Sequence, residues 1–170
     1  MESLKRKRER ANLIHETLDL FQRSVTKDIT VHTNLFPDQI AVNGDDGQIQ
    51  QALLNLFLNA RDAMPEKGVL TIATFPVPGT APPPGAPAHL TGPFVEIRIT
   101  DTGRGIPREI QDRIFEPFFT TKPPGLGTGL GLSVSYFIVT EDHGGTMSLE
   151  SNPGVGTRFV VRLPAAGKER

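Results

Sequence analysis

Cysteine and tryptophan are absent from this chain, and tyrosine occurs once. Without thiols there are neither disulfides nor thiolate metal sites. Stability must come from an apolar core, which fits a reducing, cytoplasmic compartment. No apolar run approaches the roughly 20 residues needed to span a bilayer, so no direct membrane contact is expected of this segment. The N-terminal residues are charged and lack the apolar centre of an export signal. Net charge is only −1, so no global field draws in nucleic acid or anionic lipid. Residues 4–10 are basic, but no aromatic interleaves them to stack on bases, and they read as a solvated helix end rather than a nucleic-acid contact. No Gly-Lys-Ser/Thr tripeptide is present, which excludes a Walker A loop. No strand leads into a Gly-x-Gly-x-x-Gly, which excludes a Rossmann fingerprint.

What is present suits one domain. The chain has 170 residues, of which 37% are hydrophobic and 22% charged, enough for a real core. Its charged opening residues read as the cut end of something longer. Residues 12–24 place Leu13, Ile14, Thr17, Leu18 and Phe21 at helical spacing, with Val25 continuing it just beyond. Residues 29–35 alternate as a strand, and 40–42 form a short second one. Residues 45–64 are the strongest helix, with Asp45 as cap and Gln48 three residues on. A strand is expected over 69–77. Residues 76–93 hold many of the 15 prolines and read as a mobile loop. A strand over 94–100 ends at Asp101. A short helix follows over 107–114, then a helix over 129–143 ended by Gly144 and Gly145. Residues 146–150 and 155–163 form a hairpin around 152–156. This order predicts an α+β fold, a two-layer sandwich of helices on one face of a sheet.

Two features carry chemistry. On the 45–64 helix, Gln51, Asn55, Asn59 and Asp62 fall within a stripe of about 80° while nearly every other side is apolar. Buried amides and a carboxylate cost free energy unless they find partners. A ligand cavity supplies them, and an Asn oxygen is a hard, neutral donor suited to Mg²⁺. Further on, Asp101 sits where a strand meets a loop, followed by Gly103 and Gly105. It can accept from the amino group of a base, with Gly103 letting the base approach the backbone. Gly125, Gly127, Gly129 and Gly131 alternate before an apolar helix, an arrangement of backbone N–H groups suited to phosphates. Between them lie Phe115, Phe118 and Phe119, as core plugs or a hinged cover, and Lys122, the cation best placed to reach a phosphate.

Together these residues resemble the catalytic ATP-binding domain of sensor histidine kinases, within the GHKL ATPases. Residues 55–63 are similar to the family's asparagine box. Residues 101–105 resemble its first glycine box, 115–122 its phenylalanine box and 125–131 its second glycine box. Residues 154–159 resemble the closing strand motif. The likeness spans residues 12–163. It implies a Bergerat-type fold, a mixed, mostly antiparallel sheet of about five strands under about three helices. It further implies ATP and Mg²⁺ as ligands. Asn59 would hold the metal, Asn55 would lie near the phosphates or the metal, and Asp62 would line the cavity. Asp101 would bind the adenine amino group, supported through water by Thr157. Gly105, Ile106 and Phe115 would border the nucleotide. Gly127, Thr128, Gly129, Leu130 and Gly131 would wrap the phosphates beneath a lid over 115–128, expected to be disordered without nucleotide. Asn55, Asn59 and Lys122 would form the catalytic set.

Residues 1–24 would then be the end of a linker from a dimerisation domain, 25–165 the catalytic domain and 166–170 a tail. Partners would be that phosphoacceptor domain and a response-regulator receiver domain. Three departures stand out. No acceptor histidine motif is present, and His15 lies in the linker stretch. The Pro-rich loop over 76–93 is longer than typical. Val139 and His143 are separated by one residue more than in the family. His32, His89 and His143 show no metal-ligand spacing. The competing readings are another GHKL ATPase and a docking module without transfer. Against hydrolysis stands Asn55, which cannot take a proton from water as a glutamate would.

Overall fold

The computed structural model describes residues 13–25, 28–37, 42–79, 92–121 and 130–166. The sheet has five strands: β1 (Asp28–Asn34), β2 (Lys67–Val77), β3 (Phe94–Asp101), β4 (Thr146–Asn152) and β5 (Gly156–Pro164), in the order β1-β2-β3-β5-β4. β1 and β2 run parallel because a helix crosses between them; the other neighbours are antiparallel. Helices α1 (Leu13–Ser24), α2 (Asp46–Ala63) and α3 (Gly131–Phe137) complete the layers. The mixed α+β sandwich is therefore as expected. Val42 makes an isolated bridge to Ala165; the rest of the strand expected at 40–42 lies outside the described residues.

The core lies between α2 and the sheet. Ile49, Leu53, Leu56 and Phe57 of α2 meet Leu70 and Ile72 of β2, Ile97 and Ile99 of β3, and Phe159 and Val161 of β5. Each large side chain buried this fully contributes roughly 1.5–3 kcal/mol. Asp45 caps α2 as its position suggested, its Oδ1 accepting the Gln48 N–H at 2.9 Å. The linker helix of the sequence reading shares this core: Leu18 and Phe21 of α1 are buried, and the Phe21 ring meets Phe57 edge-on at 6.0 Å.

α3 departs from the expected uniform helix over 129–143. It is α-helical over Gly131–Phe137 and widens into a π-turn over Ile138–Asp142. Such a turn absorbs one extra residue by i→i+5 pairing, and the extra residue before His143 is taken up here. His143 keeps a specific place. Its Nε2 accepts the Asp45 N–H at 3.1 Å, and its Nδ1 lies 2.7 Å from the Ile138 carbonyl oxygen. The two contacts together put the ring proton on Nδ1. Both nitrogens are thus spent on joining the end of α3 to the start of α2. Gly144, at φ +63°, then stops the element. The segment expected as a helix over 107–114 is a short 3₁₀ stretch, Arg108–Arg113.

Candidate nucleotide site

A cavity of about 630 Å³ opens between α2, the loop after β3, the 3₁₀ stretch and the start of α3. That volume is in the range of small-molecule sites. The polar stripe of α2 forms one wall through Asn55, Asn59 and Asp62. The helix is apolar towards the sheet and polar towards the cavity, so both of its long faces are engaged. Asn55 donates from Nδ2 to the Gly131 carbonyl at 3.3 Å, tying α2 to the start of α3. Asp62 pairs with Arg61, Oδ1 to Nε at 3.1 Å. The side-chain amide of Asn59 makes no hydrogen bond to a described residue, which leaves its oxygen available to the cavity.

Asp101 forms the floor with Thr157. It ends β3, and its Oδ1 accepts the backbone N–H of Gly103 at 2.8 Å and of Thr157 at 3.3 Å. No described residue bonds to Oδ2. Burial pushes its carboxyl above the ordinary aspartate range, and the two N–H groups offset that only in part. A buried carboxylate met by neutral amides alone is a marker of a functional site.

The loop after β3 is pinned on two sides. The Arg104 N–H donates to the Ala63 carbonyl at 3.1 Å, and its carbonyl accepts the Gly154 N–H at 2.7 Å. A Cβ at Gly103 would collide with the Ala63 carbonyl, so this glycine serves the contact with α2. Gly105, at φ +74°, passes the Asn152 carbonyl too closely for any side chain. Ile106 is held at both ends, its N–H by Ser151 Oγ at 2.8 Å and its carbonyl by Gln111 Nε2 at 2.9 Å.

The structure thus brings Asn55, Asn59, Asp62, Asp101, Gly105, Ile106, Gly131 and Thr157 to one cavity. It does not bring Gly103, Phe115 or Leu130 there. Phe115 stacks on Tyr136 with centroids 4.9 Å apart and meets Phe159 edge-on at 6.3 Å, so it is a plug on the core. Phe119 lines the cavity instead, with the Arg113 guanidinium 4.8 Å from its ring. Lys122, Gly125, Gly127, Thr128 and Gly129 lie outside the described residues, as does His89. Sequence reasoning missed the apolar wall of Leu58, Ile110, Ile114 and Leu132. The i, i+4 spacing of Ile110 and Ile114 beside a glycine loop was the available signal. Among the described residues no cluster of His, Asp and Glu could hold a metal by itself, and no helix is long and apolar enough to cross a membrane.

Residues 44–167 match the family model described as histidine kinase-, DNA gyrase B- and HSP90-like ATPase. The sensor kinase CckA of Brucella abortus is 41% identical over 155 residues, covering 89% of this chain and 16% of that protein. The sensor histidine kinase ZraS of Escherichia coli K12 is 40% identical over 123 residues, covering 72% of this chain and 23% of that one. The chain thus spans less than a quarter of the length of these two relatives. Among solved structures, the nucleotide-free catalytic domain of histidine kinase ThkA superposes with a TM-score of 0.74 at 30% identity, covering 91% of each chain. The mycobacterial sensor histidine kinase MprB gives 0.72 at 28% identity, covering 91% of this chain and 93% of that one. A mixed five-stranded sheet, an asparagine-bearing helix and a buried aspartate at a strand end accompany these matches, and the chain belongs to the histidine kinase-, DNA gyrase B- and HSP90-like ATPase family as a sensor histidine kinase ATP-binding domain.

Proposed function

We propose that this domain binds Mg·ATP and passes the γ-phosphoryl group to a histidine on a dimerisation domain of a longer protein, from which a response-regulator receiver domain would take it. The observation that carries this reading is the polarity of the cavity. At one end is a buried carboxylate with an unclaimed oxygen, suited to an amino group. At the other are two asparagine amides and the start of α3. Gly131 lines that end, and a Cβ built on it would meet no atom of the other described residues within 4 Å. That open space suits a phosphate chain lying close to the backbone.

The acceptor imidazole nitrogen forms a bond to the γ-phosphorus as the bond to the β–γ bridging oxygen breaks, and ADP leaves. Such transfer depends on positioning and charge neutralisation more than on a nucleophile supplied by the domain. Asn59 fits a metal role because its amide oxygen is hard, neutral and unspent. Mg²⁺ usually takes one or two protein ligands and the rest from phosphates and water. When bound, Mg²⁺ would neutralise charge on the phosphates. Asn55, its amide already given to Gly131, would keep α3 in register with α2. Neither amide can accept a proton from water, which favours transfer over hydrolysis. Residues 25–165 would form the catalytic unit, with α1 leading into it from the dimerisation domain and residues 115–128 serving as its lid.

Calorimetric titration with a non-hydrolysable ATP analogue, with and without Mg²⁺, tests the site. Wild type is expected to bind more tightly with Mg²⁺, and Asn59→Ala to bind with little dependence on the metal. Mixing the domain with the parent protein's dimerisation domain and labelled ATP tests transfer. Acid-labile label on the dimerisation domain supports the proposal. Nucleotide binding with no transferred label would leave a sensing or docking module.

A further inference from the structure

A row of three side chains crosses the sheet under the cavity. Asp101 on β3 is the register partner of Thr157 on β5, and Thr157 is the partner of Ser151 on β4. Asp101 and Thr157 line the cavity, whereas Ser151 does not. Yet Ser151 Oγ makes three contacts. It lies 2.8 Å from the Ile106 N, 3.1 Å from the Gly156 carbonyl oxygen and 2.8 Å from Thr157 Oγ1.

A hydroxyl has one proton to donate and two lone pairs to accept with. The Ile106 N–H can only donate, so it takes one lone pair. The Gly156 carbonyl can only accept, so it takes the proton. The second lone pair is left for Thr157, whose own hydroxyl must then be the donor. This is the one assignment in which all three contacts are hydrogen bonds. It commits the Thr157 proton to Ser151, away from any ligand, and leaves lone pairs on Thr157 Oγ1. Beside it, Asp101 offers an oxygen that also only accepts when ionised. The floor of the cavity therefore presents acceptors.

We infer that Ser151 is a specificity-determining positioning residue: by fixing the polarity of Thr157, it makes the floor select a purine with a 6-amino group and reject one with a 6-oxo group. The inference rests on the nucleotide reading of this site. An adenine amino group supplies the protons that both acceptors lack. A hypoxanthine O6 would face lone pairs and find no donor. A site built to hydrogen-bond one group rejects the analogue lacking it far more strongly than an apolar pocket does, because polar atoms are left unpaired.

Two ligands test it, the non-hydrolysable imido analogues of ATP and ITP, each titrated calorimetrically into wild type, Ser151→Ala, Ser151→Thr and Thr157→Val, with circular dichroism as the check on folding. Wild type is expected to prefer the adenine analogue by roughly a hundredfold or more. Ser151→Ala frees the Thr157 hydroxyl to rotate and donate to O6, and the preference should fall about tenfold or more. Ser151→Thr restores the hydroxyl and should restore the preference. Thr157→Val reads the same hydroxyl directly if Ser151→Ala fails to fold, and it should also lower the preference. An unchanged ratio in Ser151→Ala, whatever happens to absolute affinity, overturns the inference and leaves Ser151 a structural tie. So does an unchanged ratio in Thr157→Val, or a wild type that binds both analogues alike. If folded wild type binds neither analogue, the nucleotide reading itself fails and takes this inference with it.

Discussion

Glu96 and Asp101 stand on the same strand at nearly the same burial, 2% and 3% exposed, and on opposite faces of the sheet. Removing either carboxylate from water carries the same kind of cost. The two meet it differently. Both oxygens of Glu96 are taken by cations, Oε2 by Arg98 Nε at 2.6 Å and Oε1 by Arg162 Nε at 2.8 Å. Desolvation pushes its carboxyl up, but the hydrogen bonds and charges of Arg162 and Arg98 outweigh it, and the group sits below the usual glutamate range. Asp101 pairs with no cation among the described residues. Two backbone N–H groups hold one oxygen, and burial keeps the group above the usual aspartate range. One carboxylate is completed by its own chain; the other keeps an oxygen that no described residue claims. Burial alone does not separate a structural acid from a functional one, whereas the remaining valence does.

Exchanging each acid for its amide should pull the two apart. Asp101→Asn keeps an oxygen for the Gly103 and Thr157 N–H groups but removes the charge. Losing a charged hydrogen bond costs about 1.5–3 kcal/mol, so the ATP analogue should bind roughly ten- to a hundredfold more weakly. Folding stability should hold or rise, because a buried charge that two N–H groups compensate only in part is gone. Glu96→Gln should do the reverse. It leaves two arginines facing an amide and should cost about 2 kcal/mol, a drop in Tm of roughly 4–8 °C for a domain this size. Nucleotide affinity should not move. Calorimetry and thermal melts on both variants check the crossed pattern, and a Glu96→Gln that weakens binding as Asp101→Asn does would dissolve the distinction.

Much of the Asp101 side of this contrast was legible in the sequence. The polar stripe of α2, the Asp45 cap and a strand ending on an acid are local patterns, and local patterns are what periodicity and capping report. The Glu96 side was not. Alternation of Val95, Ile97 and Ile99 puts Glu96 on the outer face, but one of its two arginine partners, Arg162, sits on another strand, and no local pattern announces it. The same limit explains Phe115, whose position between the acid and the glycines suggested a cover. Its stacking partner, Tyr136, belongs to α3. The π-turn was visible only as one residue too many before His143, and what the extra residue becomes depends on the contacts that His143 makes with Asp45 and Ile138.

The pH dependence of stability should carry opposite signs at the two sites. Asp101 has a folded-state pKa above its unfolded value. Between those values the native state holds more proton than the unfolded one, so stability falls as pH rises. Its stabilising contribution is full below the unfolded pKa and lost as pH climbs through the folded one. Glu96 has a folded-state pKa below its unfolded value. Its contribution is full above the unfolded pKa and lost as pH falls through the folded one. Urea unfolding across the acid range, on wild type and both amides, reads this directly. The deficit of Glu96→Gln relative to wild type should shrink on acidification. Any advantage of Asp101→Asn should also shrink on acidification, because protonation gives wild type the same relief.

The smallest effect should lie within the Glu96 cluster, between its two arginines. Arg162 is the more enclosed, with its side chain 26% exposed against 41% for Arg98. Solvent screens a pair more effectively the more water reaches it, and exposed ion pairs are worth about 0.2–1 kcal/mol at most. Arg98 also lies over the Phe75 ring, its guanidinium carbon 4.5 Å from the centroid, a contact that a lysine ammonium can partly reproduce. Lysine replaces the planar fork with a point charge at either position, and only a screened, stacked site tolerates that exchange. Arg98→Lys should therefore cost a few tenths of a kcal/mol, and Arg162→Lys about 1 kcal/mol. In the Glu96→Gln background the gap between them should close, because what separates them is how well each neutralises the same carboxylate. A gap that persists there would mean that Arg162 matters for its packing, and that Glu96 is completed by Arg98 after all.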